Sequence, residues 1–210
     1  MAERPAWRVQ KRVEKINFSF EWNGGFAVSQ KKKNIVNLHA AIGQKYAGKA
    51  LEISTKSDST LGQNLSAFHL KIGSYYLENV FQSSKVYQNG GPYLDMLDMP
   101  PKDAKRDERH QTSGKLTGFS YSGVLWELNP KTLFYDYLYL LAVKNSLDRE
   151  TLQEICDYEW FTDIEFNPKK SINCQARSAA LLKYVVLNEQ WDVLDSKDKW
   201  LQFHIKMIKD

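Results

Sequence analysis

Three groups able to act on one ligand stand close together in Leu77-Glu78-Asn79-Val80-Phe81-Gln82-Ser83-Ser84-Lys85. Read as a helix, this stretch puts Glu78, Gln82 and Lys85 at i, i+4 and i+7, so a carboxylate, an amide and an amine share one stripe. The stripe spans about two turns, or ~10 Å of axis. Tyr75, Tyr76, Phe81 and Tyr87 bracket it. A charged row pressed against apolar surface suggests a lined pocket, because burying charge without a partner is costly. A desolvated site also disfavours the charged form of a lysine and makes it nucleophilic, which the aromatic neighbours of Lys85 could do. The same periodicity fits an amphipathic helix with an ordinary polar face, in which Lys85 pairs with Glu78. A second acid, Asp163, lies in the alternating stretch Phe161-Thr162-Asp163-Ile164-Glu165-Phe166. There a carboxyl is either functional or the cap of a following turn. Two carboxyls whose pKa values are pushed apart can divide acid and base work, and Glu78 with Asp163 is the natural pair.

These residues need elements to hold them. Ile16–Trp22 alternates apolar and polar and predicts a strand, broken by the turn Asn23-Gly24-Gly25. Ser29 is a plausible N-cap for a helix carrying Ile35, Leu38 and Ile42 at helical spacing. Leu51–Ser54 is a short strand candidate, Thr55–Thr60 a polar loop, and Gly62–Phe68 an extended approach to the central helix. Asn89-Gly90-Gly91-Pro92 is expected to end that helix. Asp98-Met99-Pro100-Pro101 predicts the entry to a charged helix through Lys102–Arg109, closed near Gly114. Asn129-Pro130 reads as an N-cap and N1 pair opening a helix with Leu133, Phe134, Tyr137, Leu138 and Leu141 on its apolar side. A short helix is expected over Asp148–Cys156, a strand or extended loop over Phe161–Phe166, and a long helix over Asn173–Leu187 beginning near Ser171. Trp191–Ile208 predicts a C-terminal helical appendage. The sum is a mainly α fold with a small β component (α+β), in one domain over 1–210.

Composition narrows the function classes. A chain of 210 residues can bury a real core without staples. It has no run of about 18 apolar residues to span a membrane, and Met1–Arg8 lacks the apolar core of a signal peptide. Cys156 and Cys174 form no C-x-x-C, which fits a reducing cytosol, hence a cytoplasmic protein, and argues against structural zinc. His39, His69, His110 and His204 show no metal-ligand spacing, so the expected chemistry needs no metal and no cofactor. The net charge of +4 gathers in Arg8–Lys15, Lys31-Lys32-Lys33 and Lys102–Arg109. Such runs suit nucleic acid and equally suit a solvated face.

Several stretches together resemble a known family. Leu65-Ser66-Ala67-Phe68 followed by Glu78-x-x-x-Gln82-x-x-Lys85 is similar to the NADAR signature L-S-N-F…E-x-x-x-Q-x-x-K. Trp126, the helix through Lys144, Asp163 and Asn173-Cys174-Gln175-Ala176 follow in the order of its later blocks, so the resemblance covers residues 18–187 and leaves 188–210 as the appendage. Phe81–Lys85, Gly90-Gly91-Pro92-Tyr93 and the run from Phe161 to Ala176 resemble the branch encoded beside DarT-type DNA ADP-ribosyltransferase toxins. The sequence departs from the general pattern in having Ala67 where Asn is usual, and Glu165-Phe166-Asn167-Pro168 where a W-G-x-G loop is usual.

The resemblance implies an N-glycosidic hydrolase that removes ADP-ribose from guanine in DNA and so opposes a DarT-type toxin. Modified DNA would be its substrate and ADP-ribose the product it holds. It implies a Schiff base to the ribose anomeric carbon, with Lys85 at the matching position and Glu78 and Asp163 handling protons. Ser66, Phe68, Gln82 and Asn173 fall on its ligand-binding blocks, and the three polar groups could fix ribose hydroxyls or phosphates. Asn173 lies near a helix start, where N–H groups favour a pyrophosphate. Trp126 could stack on a base or fill the core. Arg106 and Arg109, three apart, could clamp phosphate, and Lys31, Lys32 and Lys33 could follow a DNA backbone. The resemblance leaves two other functions open: a module that grips ADP-ribose or the toxin without chemistry, and an N-glycosidase of a ribosylated pyrimidine in riboflavin metabolism.

Overall fold

Alternation begins earlier than Ile16. In the computed structural model, which describes residues 1–169 and 171–208, β1 (Ala2–Val9) and β2 (Val13–Phe20) form an antiparallel hairpin registered from Ala2↔Phe20 to Val9↔Val13. Arg4 and Arg8 are spaced for one face, yet each spreads its guanidinium over a ring: Arg4 4.8 Å from Trp22, Arg8 5.0 Å from Trp160.

The helix α1 (Val28–Gly43) buries Ile35, Leu38 and Ile42, as their spacing predicts, but its cap is Ala27 and Ser29 lies inside the helix. Then come β3 (Lys49–Glu52) and a short α2 (Thr60–Asn64), where the sequence had suggested an extended piece. Close packing selects this turn: a Cβ on Gly62 would stand 2.1 Å from the Glu52 carbonyl oxygen.

The central stretch holds β4 (Lys71–Ile72), β5 (Tyr75–Tyr76), α3 (Leu77–Ser83) and β6 (Lys85–Tyr87). The expected helix over Leu77–Lys85 therefore stops short of its lysine. Ser83 and Ser84 turn their hydroxyls back onto the Val80 carbonyl at 3.1 and 2.7 Å, the local competition that weakens a helix end. Lys85 then pairs with Phe119 across an antiparallel ladder. The turn at Asn89–Pro92 closes this strand, not a helix. The charged helix is split at Asp107 into α4 (Pro101–Arg106) and α5 (Arg109–Thr112). Next follow β7 (Leu116–Tyr121), β8 (Val124–Trp126) and α6 (Leu133–Ser146). Because α6 starts at Leu133, Asn129-Pro130 is not its cap and first residue.

The chain continues through α7 (Arg149–Glu154), within the helix expected over Asp148–Cys156 and capped by Asp148, then β9 (Tyr158–Thr162), α8 (Gln175–Leu187) and α9 (Lys197–Met207). Ser171 and Asn173 precede α8, whose cap is Cys174. The fold is α+β and mainly α.

These elements make two compact units, Met1–Ser66 with Leu147–Asp210, and Ala67–Ser146. In the first, a four-stranded sheet runs β2-β1-β9-β3, with β9 antiparallel to β1 and parallel to β3. Phe18, Phe20, Ile35, Leu38, Ile42 and Trp160 fill the core between this sheet and α1. The C-terminal appendage packs closely, with Trp200 and Met207 fully buried and Phe203 6.0 Å from Tyr184 of α8. In the second, Phe81, Phe119 and Phe134 stack beneath the β6-β7-β8 sheet, Phe119 and Phe134 at 4.8 Å. Among the described residues no helix is long and apolar enough to cross a membrane.

Candidate active site

In the second unit the three signature side chains meet although they do not share a helix. Lys85 Nζ donates to Gln82 Oε1, and Gln82 Nε2 donates to Glu78 Oε1 at 2.8 Å. The amide thus stands between carboxylate and amine, with one end committed to each. Glu78 is 5% exposed, so its charge needs a partner. That partner is Lys105 of α4, whose Nζ lies 3.6 Å from Glu78 Oε1 and 5.6 Å from the Phe68 ring. The alternative of a Lys85–Glu78 pair is not the contact made. Lys85 is half-buried, with Nζ 5.4 Å from the Phe81 ring. Desolvation lowers its amine to about 8, against the upward pull of Glu78 and with a smaller downward push from Lys105. An amine in that range is partly uncharged at neutral pH, as a nucleophile must be.

Neighbouring hydrogen bonds fix this arrangement. Asn79 Nδ2 donates to the carbonyls of Met96 and Met99, both at 2.7 Å, which ties α3 to the chain entering α4. His110 Nε2 bonds the Ala104 carbonyl at 2.8 Å, so Nε2 carries the proton and Nδ1 accepts from Tyr87 Oη at 2.8 Å. Beneath β6, Gly91 has φ +88°, and a Cβ there would meet the Lys85 carbonyl oxygen at 2.3 Å.

The first unit carries a second buried polar cluster, around Asp163. Asp163 Oδ1 accepts from the backbone N–H of Glu165 at 3.0 Å and Phe166 at 3.1 Å, and Oδ2 accepts from Gln175 Nε2 at 3.3 Å. The turn-cap geometry is therefore real. It does not by itself account for the acid's surroundings. Glu52, 2% exposed at the end of β3, accepts from the Thr162 hydroxyl at 2.7 Å and from Ile164 N–H at 2.8 Å, so it grips the chain on both sides of Asp163. Burial raises the pKa of both carboxyls, and the Glu52 charge adds to the rise at Asp163. Thr162 Oγ1 lies 2.8 Å from His39 Nε2, and since the hydroxyl donates to Glu52, His39 is the donor. Burial holds His39 down to about 4, hence neutral.

Sequence reasoning assigned no role to Glu52, Thr162 or His39. The signal available was an acid between two apolar residues in Leu51-Glu52-Ile53. Glu52→Gln should lower the Asp163 pKa, as read by carboxyl NMR titration. The amide keeps an oxygen for Ile164 N–H and places its NH2 at Thr162, whose hydroxyl then donates to His39 Nε2 as the neutral ring moves its proton to Nδ1. A raised carboxyl binds its proton more tightly in the folded state, so this contribution is full below the unfolded pKa and is lost as pH rises through the folded value. Glu52→Gln should flatten that loss, and an Asp163 titration unmoved by the substitution would disprove the coupling.

The remaining sequence candidates fall in both units. Ser66 is buried just after α2, and Asn173 is half-buried before α8. Trp126 is buried in the second unit's core, 4.6 Å from Tyr137 and 5.3 Å from Phe134. Arg106 stands exposed at the end of α4. Arg109 already spends its donors on Asp107 and Asp95, with Nη2 2.7 Å from Asp95 Oδ2. On α1, Lys31 pairs with Glu165 at 3.4 Å and Lys32 pairs with Asp58, while Lys33 is exposed. Among the described residues no three His, Cys, Asp or Glu side chains gather to hold a metal.

The profile of a family described as DarT1-associated NADAR antitoxin matches residues 2–210. The chain belongs to that family. No curated protein matches it. The line Glu78–Gln82–Lys85, joined end to end by hydrogen bonds, lies within the matched residues.

Proposed function

We propose that this NADAR chain is an N-glycosidase that removes ADP-ribose from guanine in DNA, reversing the modification made by a DarT-type toxin, with Lys85 as the nucleophile. The observation that carries this reading is the Lys85 amine, half-buried, lowered to about 8 and hydrogen-bonded to a neutral amide in place of a carboxylate. The unprotonated Nζ bonds to the anomeric carbon of the ribose as the bond from that carbon to the guanine nitrogen breaks. The guanine nitrogen leaves with a proton. Opening of the ribosyl-lysine converts the ring oxygen to a hydroxyl and leaves an iminium between Nζ and the carbon. Water adds to that carbon, the amine departs, and ADP-ribose is released.

Glu78, held by Gln82 and Lys105, serves as the carboxylate beside the amine, and Asp163 as an acid that keeps its proton to higher pH. Lys31, Lys32 and Lys33 would meet the DNA backbone by exchanging Glu165 and Asp58 for phosphate. Surface pairs are worth only about 0–1 kcal/mol, so that exchange costs little.

The direct test incubates the protein with an oligonucleotide carrying ADP-ribosylated guanine. Unmodified oligonucleotide and free ADP-ribose are the expected products. Bound but uncleaved substrate would instead make the domain a binding module, and turnover restricted to a ribosylated pyrimidine would make it a metabolic enzyme. Borohydride should trap protein on substrate during a single turnover. Absence of an adduct would favour direct attack by water.

The pH profile is a further expected result. Only the neutral amine attacks, so the rate should climb with pH toward about 8 and fall again where the Asp163 acid gives up its proton. With that pKa, the neutral fraction grows about tenfold between pH 7 and 9. A single-turnover rate that is flat over this range would remove the amine from the chemical step.

A further inference from the structure

Within the Lys102–Arg109 run, Lys105 reaches a buried carboxylate. Glu78 and Gln82 reach toward Lys85 from α3, yet the buried carboxylate does not pair with the amine closest to it along the signature. It pairs with Lys105, at 3.6 Å. Gln82 explains how the two amines are kept apart: its Nε2 takes Glu78 Oε1 and its Oε1 takes Lys85. We propose that Lys105 is a positioning residue for the Lys85 amine, because it engages the Glu78 carboxylate and so leaves Lys85 held by an amide alone. This rests on the reading of Lys85 as the nucleophile.

Three observations support it. First, Lys105 is held where it acts. Its ammonium lies over the Phe68 ring, α4 is joined to α3 through Asn79, and the Ala104 carbonyl receives His110 Nε2. Second, the charges around Lys85 are few. Glu78 faces it from α3, Lys105 from α4 and His110 from α5, while its partner on β7 is Phe119. Desolvation lowers His110 and keeps it neutral, so Glu78 and Lys105 are the two charges that matter. Third, those two act on Lys85 with opposite sign: Glu78 favours its charged form and Lys105 disfavours it. A second ammonium beside a nucleophilic lysine is a recognised means of keeping the amine free. Lys105 supplies this through its own charge and by occupying the one nearby anion.

The experiment uses the full chain with Lys105→Met and Lys105→Arg. Lys85 is followed by NMR of lysine labelled at Cε, with its signal assigned by its loss in Lys85→Arg. In Lys105→Met the Lys85 titration should move up by about half to one pH unit, a size set by the solvent exposure of Lys105. Release of ADP-ribose at pH 7 should fall about three- to tenfold relative to the parent protein, and that ratio should return toward one above pH 9. Lys105→Arg should restore both, because the charge is kept. A Lys85 titration unmoved in Lys105→Met overturns the proposal. So does a loss of activity equal at every pH, the mark of a contact to substrate. If the protein releases no ADP-ribose from modified DNA, the proposed function fails while the titration still decides the role of Lys105.

Discussion

Lys85→Ala should reduce release of ADP-ribose from modified guanine by about a thousandfold or more while leaving the protein folded. The chemistry assigned to Lys85 has no substitute nearby: Gln82 is an amide, and the Lys105 ammonium is occupied by Glu78. The structural cost is small. Lys85 gives up one hydrogen bond, to Gln82, and the ring contact with Phe81. Losing a single bond of this kind costs about 1–2 kcal/mol, part of it recovered because a desolvated amine is also removed. Lys85→Arg separates charge from nucleophilicity. Its guanidinium stays protonated at every usable pH and cannot attack, so it too should be inactive. Thermal unfolding of both variants, beside a product assay, tests the pair. Full turnover in either would refute the assigned nucleophile.

Gly91→Ala should be the most damaging small substitution near the site. The backbone there has φ +88°, a region that costs a residue with a Cβ on the order of 1–3 kcal/mol. The added carbon would also lie 2.3 Å from the carbonyl oxygen of Lys85 and 3.4 Å from Cα of Val86, both main-chain atoms that cannot swing aside. Relieving the overlap must move β6, adding ~1–3 kcal/mol of strain. A total loss of roughly 3 kcal/mol or more is expected, with activity impaired even where the variant remains folded, because the strand that moves carries the nucleophile. Urea unfolding measures the first effect, and single-turnover release of ADP-ribose by the folded fraction measures the second. A midpoint equal to that of the parent protein would mean that the turn does not press on β6.

Some of this could be read from residue order because it depends on near neighbours. The 3.6-residue spacing of Ile35, Leu38 and Ile42 became the buried face of α1, and the short helix expected over Asp148–Cys156 became α7. Elsewhere the local signal misled for identifiable reasons. The spacing of Glu78, Gln82 and Lys85 fits a helix, but Ser83 and Ser84 compete for the Val80 carbonyl, and the strand partner Phe119 is 34 residues beyond Lys85. The lysine leaves the helix and still meets Gln82, because a turn also brings residues three apart together. Asn129-Pro130 has the composition of a helix start, yet α6 begins at Leu133.

By itself, the sequence determined the family, the α+β class and the identity of the signature side chains, since these are properties of residue type and order. It could not determine which groups face one another. Glu52 meets Thr162 only because β3 lies parallel to β9, and Lys105 meets Glu78 only because Asn79 draws the chain before α4 onto α3. Those contacts join residues many positions apart and set which carboxyl stays protonated and which amine stays free. Tertiary structure decides them because desolvation and Coulomb forces act through space, over a few ångströms, whatever the separation along the chain.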